Sequence, residues 1–452
     1  MIEKIQKQFR KQPVALLAAI FLSLFFLTAL FAPFLASNQP IFAVFEGNFY
    51  FPLFRYLLYP GFYTKPIDQA FNLLILFLPL FLLLYKRIWL PTLLFGLTFL
   101  FLHFFPVKNP VGPGNDYQRF ENVLSYTLEK EQQQRLLPYL PAYHALLQER
   151  KGGKIEMSPS ILPTLWNVRQ RGLQEEKERK ADQPEAIAVI EQHQNDLEEA
   201  SKHLFKIMPL IRPFHYEQDA GGDQLLNTLL PWYKLTRVNR KDLTSALIFG
   251  TRISLVVGFG SVLLAALIGL PFGAAAGYFT RWVDLLFSRL LEVWEGMPVF
   301  FMLLMVVAIT ESKSIWWLIA IIAVFGWTTF ARYVRSEALR IRNLPYILAA
   351  KTYGASEGRI LFKYLLPNAL VSFFAILPFS ILGAISAESG ISFLGLGEEG
   401  SASLGVLMDE GRNHFPAESY LLWPPAILLT LTLVSFAILG DTVKNALDPK
   451  KD

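Results

Sequence analysis

Apolar runs of about 17–25 residues, enough to cross a hydrocarbon core ~30 Å thick, recur along this chain and predict its architecture. The first covers residues 14–35 behind Lys4, Lys7, Arg10 and Lys11. It is longer than the apolar part of a cleaved signal peptide, and its basic flank predicts an uncleaved anchor with the N-terminus inside. Runs at 67–84 and 88–105 are parted only by Tyr85, Lys86 and Arg87, which predicts a hairpin with its turn in the cytoplasm. A re-entrant or interfacial hairpin would keep the same parity. Further runs start at Leu243 and cover 285–309, 315–331, 369–391 and 421–439. Arg332 and Arg335 after the run at 315–331, and Lys444, Lys450 and Lys451 at the end, sit on the inner side. The expectation is an all-α membrane protein of about eight spans, both termini cytoplasmic.

Between the hairpin and Leu243, residues 107–241 turn polar. Ile190, Leu197 and Leu204 recur every seven residues, with Ile187 and Met208 beside them, which predicts an amphipathic helix within 184–208. The region reads as a helical extracytoplasmic insert. It is either a docking surface or a structural ornament, and its Lys and Arg do not oppose an outside location, because long segments translocate largely regardless of charge. Three domains follow: 1–106, an anchor plus an extra hairpin; 107–241, the insert; and 242–452, a membrane core.

Composition agrees. Of 452 residues 53% are hydrophobic, and there is no cysteine, which excludes disulfides and thiolate metal sites. The net charge of +5 fits cytoplasmic loops of a membrane protein better than nucleic-acid binding.

One cytoplasmic loop, residues 345–368, breaks the apolar pattern. Pro345 suits a first helical position and Gly354 the left-handed residue that closes a helix. Ser356 is placed to cap a second helix, with Glu357 near its positive end; Ile360, Leu361, Tyr364 and Leu365 give it one apolar face. Pro367 is expected to end it before the next span. The result is a stiff knob of two short helices held at an angle.

These residues resemble the coupling loop of binding-protein-dependent ABC importer permeases, whose signature runs E-A-A, three residues, G, nine residues, then I-x-L-P. Here stand Ala349-Ala350, three residues, Gly354, nine residues, then Tyr364-Leu365-Leu366-Pro367. Leu348 replaces the family's Glu and Tyr364 its frequent Ile. Asp242, Ser245, Gly250, Arg252 and Ser254 match the second span of dipeptide and oligopeptide permeases, and ISFLGLG at residues 391–397, Gly405, Glu410-Gly411-Arg412 and the final ALDP match later elements. The preceding outer-face element, G-T-D-x-x-G-R-D, keeps only Thr236 and Asp242.

The resemblance implies a type I ABC importer transmembrane fold in the bacterial inner membrane, and a permease subunit moving di- or oligopeptides, or the nickel chelates and other small solutes of related systems. It implies a second homologous permease, two ATP-binding subunits that hold ATP and Mg, and an extracytoplasmic solute-binding protein. Coupling to the ATPase would fall to Pro345, Ala349, Ala350, Gly354, Ala355, Ser356 and Pro367. The chain itself has no G-x-x-x-x-G-K-[ST] phosphate loop, no histidine set with metal-ligand spacing and no visible triad, so no catalytic residue, metal or cofactor is assigned to it.

Three acids fall inside predicted spans, where ionisable groups mark function or internal hydrogen bonding. Glu292 and Glu295 share a helix face, and Glu388 lies late in a span. They either line a translocation path or accept hydrogen bonds from neighbouring helices; the resemblance supplies acids at Glu292 and Glu388 but not at Glu295. A rival class, an ion-coupled secondary transporter, would use the same three as ion sites. Gly258, Gly260, Gly269, Gly273 and Gly277 are expected to let helices approach closely.

Overall fold

The computed structural model describes residues 8–9, 12–37, 65–107, most of 41–60, 204–207, 209–211, 237–238, 241–279, 282–310, 313–398, 401–413, 415–416 and 421–447. Most of the insert at 107–241 therefore lies outside the described residues, including most of the helix expected within 184–208. Its one described stretch there, Leu204–Ile207, is a β-strand. Three of the four residues in LFKI are apolar with Ile and Phe among them, and in extended form they pair with another such strand, so local β-preference prevails over the seven-residue spacing.

Two compact units divide the chain. One joins Met1–Ala29 to Tyr216–Asp219 and Leu225–Asp452; the other is Leu30–His215 with Ala220–Gln224.

In the second unit, α1 (Pro13–Leu30, which belongs to the first unit up to Ala29) gives way at Phe31 to the short α2 (Ala32–Leu35). Strands β1 (Phe42–Phe45), β2 (Asn48–Tyr50) and β3 (Leu204–Ile207) make an antiparallel sheet in the order β2-β1-β3, with Ala43 opposite Tyr50 and Phe42 opposite Ile207. Helices α3 (Pro66–Leu83) and α4 (Trp89–Phe104) form the expected hairpin through a turn at Tyr85–Arg87. The Phe77 and Phe95 rings meet edge to face across it at 5.7 Å.

The first unit is built on α5 (Leu243–Tyr278) and α8 (Ile315–Ile341). Gly269, Gly273 and Gly277 lie four apart on α5, against the backbone of Trp327, Ala331 and Arg335, also four apart on α8. A Cβ on Gly277 would stand 2.6 Å from the Arg335 carbonyl oxygen, so the two helices touch backbone to backbone. Gly260 differs, since its nearest neighbour, Ile319, stands at ordinary contact distance. Arg252, fully buried on α5, donates from Nε to the Ala29 carbonyl at 2.7 Å and so ties α1 to the core.

Three helices depart from the sequence expectation. The span at 285–309 is two helices, α6 (Trp282–Glu295) and α7 (Val299–Thr310), bent by 73° at Gly296-Met297-Pro298. Pro298 has no N–H to continue the ladder and Gly296 resists it little. Helix α8 continues past Ala331 to Ile341, carrying Arg332 and Arg335 inside it, because nothing breaks helix there before Pro345. Pro367 does not end a helix: α10 runs unbroken from Glu357 to Leu396, after α9 (Pro345–Thr352), and widens to a π turn over Ile360–Leu365. Such a turn absorbs a missing donor and a ring clash without stopping the helix.

A second π turn, Ser392–Leu396, ends α10 with Gly395 at φ +80°. Then come α11 (Leu404–Asn413), which carries Gly405 and Glu410-Gly411-Arg412, and α12 (Trp423–Leu447). Among the described residues six helices are long and apolar enough to cross a membrane; the bent pair α6–α7 and the shorter α4 bring the apolar segments to eight.

Candidate functional site

The knob forms from its sequence signals. Leu344, in extended conformation, precedes Pro345 at the first helical position. At the other end Gly354 has φ +75°, and two bonds close the helix: Gly354 N–H to the Lys351 carbonyl at 2.9 Å and Ala355 N–H to the Ala350 carbonyl at 3.0 Å. This is the paired Schellman closure, with Ala350 and Ala355 packed into the same apolar cluster. Ser356 occupies the cap position of α10, but its hydroxyl makes no capping bond.

What holds the knob is burial on one side and three polar contacts. Ile347, Ile360, Leu361 and Leu365 are buried in a cluster with Ala274 and Tyr278 of α5 and Val334, Ala338 and Ile341 of α8. The Tyr278 hydroxyl donates to Glu357, the Lys351 ammonium lies 4.6 Å from the centre of the Tyr278 ring, and Arg342 Nη1 donates to the Gly277 carbonyl at 3.3 Å. The outer side is exposed: Tyr353 at 90%, and Leu348 and Tyr346 about half. Of the predicted coupling residues, Pro345, Ala349, Gly354 and Ser356 are exposed, Ala350 and Ala355 are half-buried, and Pro367 is exposed on α10 beyond the π turn.

Nothing in the linear pattern marked Tyr278, which ends a span far upstream in sequence. A hydrogen bond to a charged group contributes about 1.5–3 kcal/mol, and 1.4 kcal/mol is a factor of ten. Replacing Tyr278 by Phe is therefore expected to raise hydrogen exchange of the amides in the first turn of α10, where Glu357 sits, by about tenfold with the apolar anchor intact. Mass-resolved exchange of the purified protein checks this; unchanged protection would show the bond to be idle.

The three acids do not converge. Glu292 is exposed and pairs with Arg289 on its own helix at 2.6 Å. Glu388 is 1% exposed and accepts from Ser392 at 2.8 Å, from Ser389 at 3.3 Å and from Ser403. Ser403 in turn accepts from the Gly405 N–H at 3.2 Å, so Glu388 pins the start of α11 to the end of α10. Glu295, the last residue of α6, pairs with Arg332 of α8.

Only Glu295 lines the cavity of about 870 Å³ that opens among α5, α7, α8 and α10. Arg332 and Lys444, read from sequence only as markers of the inner face, line it too. Among the described residues no cluster of His, Asp or Glu could hold a metal ion.

Comparison with known proteins places this architecture. The family described as binding-protein-dependent transport system inner membrane component matches residues 269–452, and the N-terminal TM domain of oligopeptide transport permease C matches residues 3–52. The dipeptide transport system permease protein of Bacillus subtilis is 34% identical over 251 residues, 54% of this chain and 78% of the relative. The chain belongs to this family of importer permeases.

A peptidoglycan transport system permease protein of Agrobacterium fabrum is 37% identical over 47% of the permease, and an inner membrane ABC transporter permease protein of Escherichia coli is 38% identical over 48%. Those two alignments span only 55% and 63% of the relatives' own length. A chain of the MetNI methionine ABC transporter, in inward-facing conformations, matches 45% of the permease at 20% identity, with 96% of that chain covered and a TM-score of 0.36, too loose for helix-by-helix comparison. The permease is a multi-pass inner-membrane component, and its core has the type I ABC importer transmembrane fold. Residues 53–268, which include the α3–α4 hairpin, lie outside both family matches.

Proposed function

We propose that this chain is one of two permease subunits of an importer for peptides, and that the knob at residues 345–368 receives work from a separate ATPase. The observation that carries this reading is the knob itself. It is clamped by Ile347 and Ile360 to the ends of α5 and α8, yet presents Tyr346, Leu348 and Tyr353 outward. A part built this way transmits a push on its outer face into two long helices without deforming, as a rigid-body switch requires. Leu348, where the family carries Glu, makes that outer face more apolar.

Both termini and the knob face the cytoplasm in this reading. Eight crossings that begin inside bring α8 to the inner surface at Ile341 and return α12 there. ATP and Mg belong to the two partner ATPases, an extracytoplasmic binding protein delivers solute, and a second permease completes the pathway. The peptide assignment follows the relatives named for dipeptides and oligopeptides.

A photo-reactive phenylalanine analogue at Tyr353 is expected to cross-link to an ATP-hydrolysing polypeptide in native membranes, and a copy at Leu263, on the apolar exposed surface of α5, is not. Solute uptake by the purified chain alone, with no ATPase bound, would replace this reading with that of a secondary carrier.

A further inference from the structure

The cavity among α5, α7, α8 and α10 has an unusual charge arrangement. Its walls are largely apolar and aromatic, with Phe325, Phe330 and Phe379 among them. Into this surface come one acid and two bases: Glu295, Arg332 and Lys444. Glu295 and Arg332 are ion-paired, and their side chains remain 33% and 56% exposed, so the pair faces open space rather than being sealed in packing. Lys444 has no carboxylate partner among the described residues. Ser261, 1% exposed on the cavity wall, has a hydroxyl with no hydrogen-bond partner among the described residues.

A solute that carries one ammonium and one carboxylate fits this set. Its ammonium takes the place of Arg332 on Glu295, while its carboxylate takes the place of Glu295 on Arg332, where a guanidinium binds both oxygens at once. No charge is left unpaired in the exchange, which avoids the large penalty of burying a lone ion. Lys444 adds a second cation for the carboxylate, and the aromatic wall accommodates side chains of varied shape. The other two acids are already occupied, Glu292 by Arg289 and Glu388 by three serines.

We propose that Glu295, Arg332 and Lys444 form a binding station for peptides with free termini, in which the Glu295–Arg332 pair opens to take the amino and carboxyl ends of the solute. This rests on the peptide-importer reading above and deepens it. The competing role is mechanical: the pair would only staple the end of α6 to α8, beside the 2.6 Å Asp284–Arg335 pair that also joins them.

The test is ATP-driven uptake by the complete complex in proteoliposomes of three probes: an alanine dipeptide, its N-acetyl derivative and its C-terminal amide. Wild type is expected to favour the free dipeptide on the order of tenfold over each blocked form. Glu295→Gln should abolish the preference over the N-acetyl form and keep that over the amide; Arg332→Gln should do the reverse; Glu295→Asp, which keeps the charge, should retain both. If Arg332→Gln fails to assemble, Lys444→Gln reads the carboxylate end alone, with the preference over the amide expected to fall.

Equal loss for all three probes in Glu295→Gln and in the carboxylate-end variant, with selectivity unchanged, would mean a staple and overturn the proposal. A wild-type complex that hydrolyses ATP but takes up none of the three would overturn the peptide reading itself, and the station with it.

Discussion

Leucine in place of Gly273 is expected to prevent the protein from folding into a stable, monodisperse species in detergent. A Cβ there would overlap the Ala331 carbonyl, carbonyl carbon and Cα, all backbone atoms that cannot rotate aside. Relief requires α5 and α8 to separate, and that separation opens the apolar cluster in which Ala274, Val334 and Ala338 are fully buried. Overpacking a core by a few carbons costs about 1–3 kcal/mol even where side chains can yield; against backbone the cost is larger. In a bilayer no hydrophobic force returns the helices, since lipid tails are as apolar as the partner helix, and close packing is what holds them. Gly260→Leu on the same helix is the control, because its neighbour Ile319 stands 3.6 Å away and can adjust. Size-exclusion profiles and ATP-driven uptake check both variants. A Gly273→Leu protein that assembles and transports as wild type would mean that the backbone contact is not needed.

The order of helices was legible because a membrane span carries its signal in length and composition, and the knob was legible because Pro345 and Gly354 act on their own backbone. The interruption at Gly296-Met297-Pro298 was written in the sequence but masked by its setting. An apolar run on both sides reads as one span, and only the packing of the two halves decides that the chain turns by 73° there. Pro367 misled for the opposite reason. A proline signals a break, yet a helix held on both sides by buried residues such as Leu365 and Ala369 accommodates it with a π turn. At Leu204–Ile207 a seven-residue apolar spacing suggested a helix, whereas pairing with Phe42–Phe45, far away in sequence, made a strand.

The site was less legible than the fold. Glu295 was visible as an acid in an apolar run, but Arg332 looked like a topology marker, and Lys444 likewise. Their approach depends on how α6, α8 and α12 pack. Tyr278 and Glu357 likewise meet only in three dimensions, and neither local charge nor periodicity points from one to the other.

Valine at Gly354 is expected to leave the complex assembled while uptake falls by about tenfold and ATP hydrolysis continues, which is uncoupling. Space is not the obstacle, since an added Cβ would meet nothing within 4 Å. Conformation is: at φ +75° an ordinary L-residue suffers a penalty of about 1–2 kcal/mol, and a β-branched one more. The chain escapes by rotating to negative φ, which breaks the two bonds that close α9, from Gly354 to Lys351 and from Ala355 to Ala350. Ile347 and Ile360 remain buried on either side, so the knob stays attached. What changes is the angle between α9 and α10, and with it the exposed face of Tyr346, Leu348 and Tyr353 that the proposed function sets against an ATPase. Gly354→Asn separates the two effects, because asparagine tolerates the left-handed region and should keep most of the coupling. Uptake and ATP hydrolysis measured on the same proteoliposomes give the ratio directly. Equal coupling in the valine and asparagine variants would remove the turn at Gly354 from the transmission path, and the work would then have to enter through α10 alone.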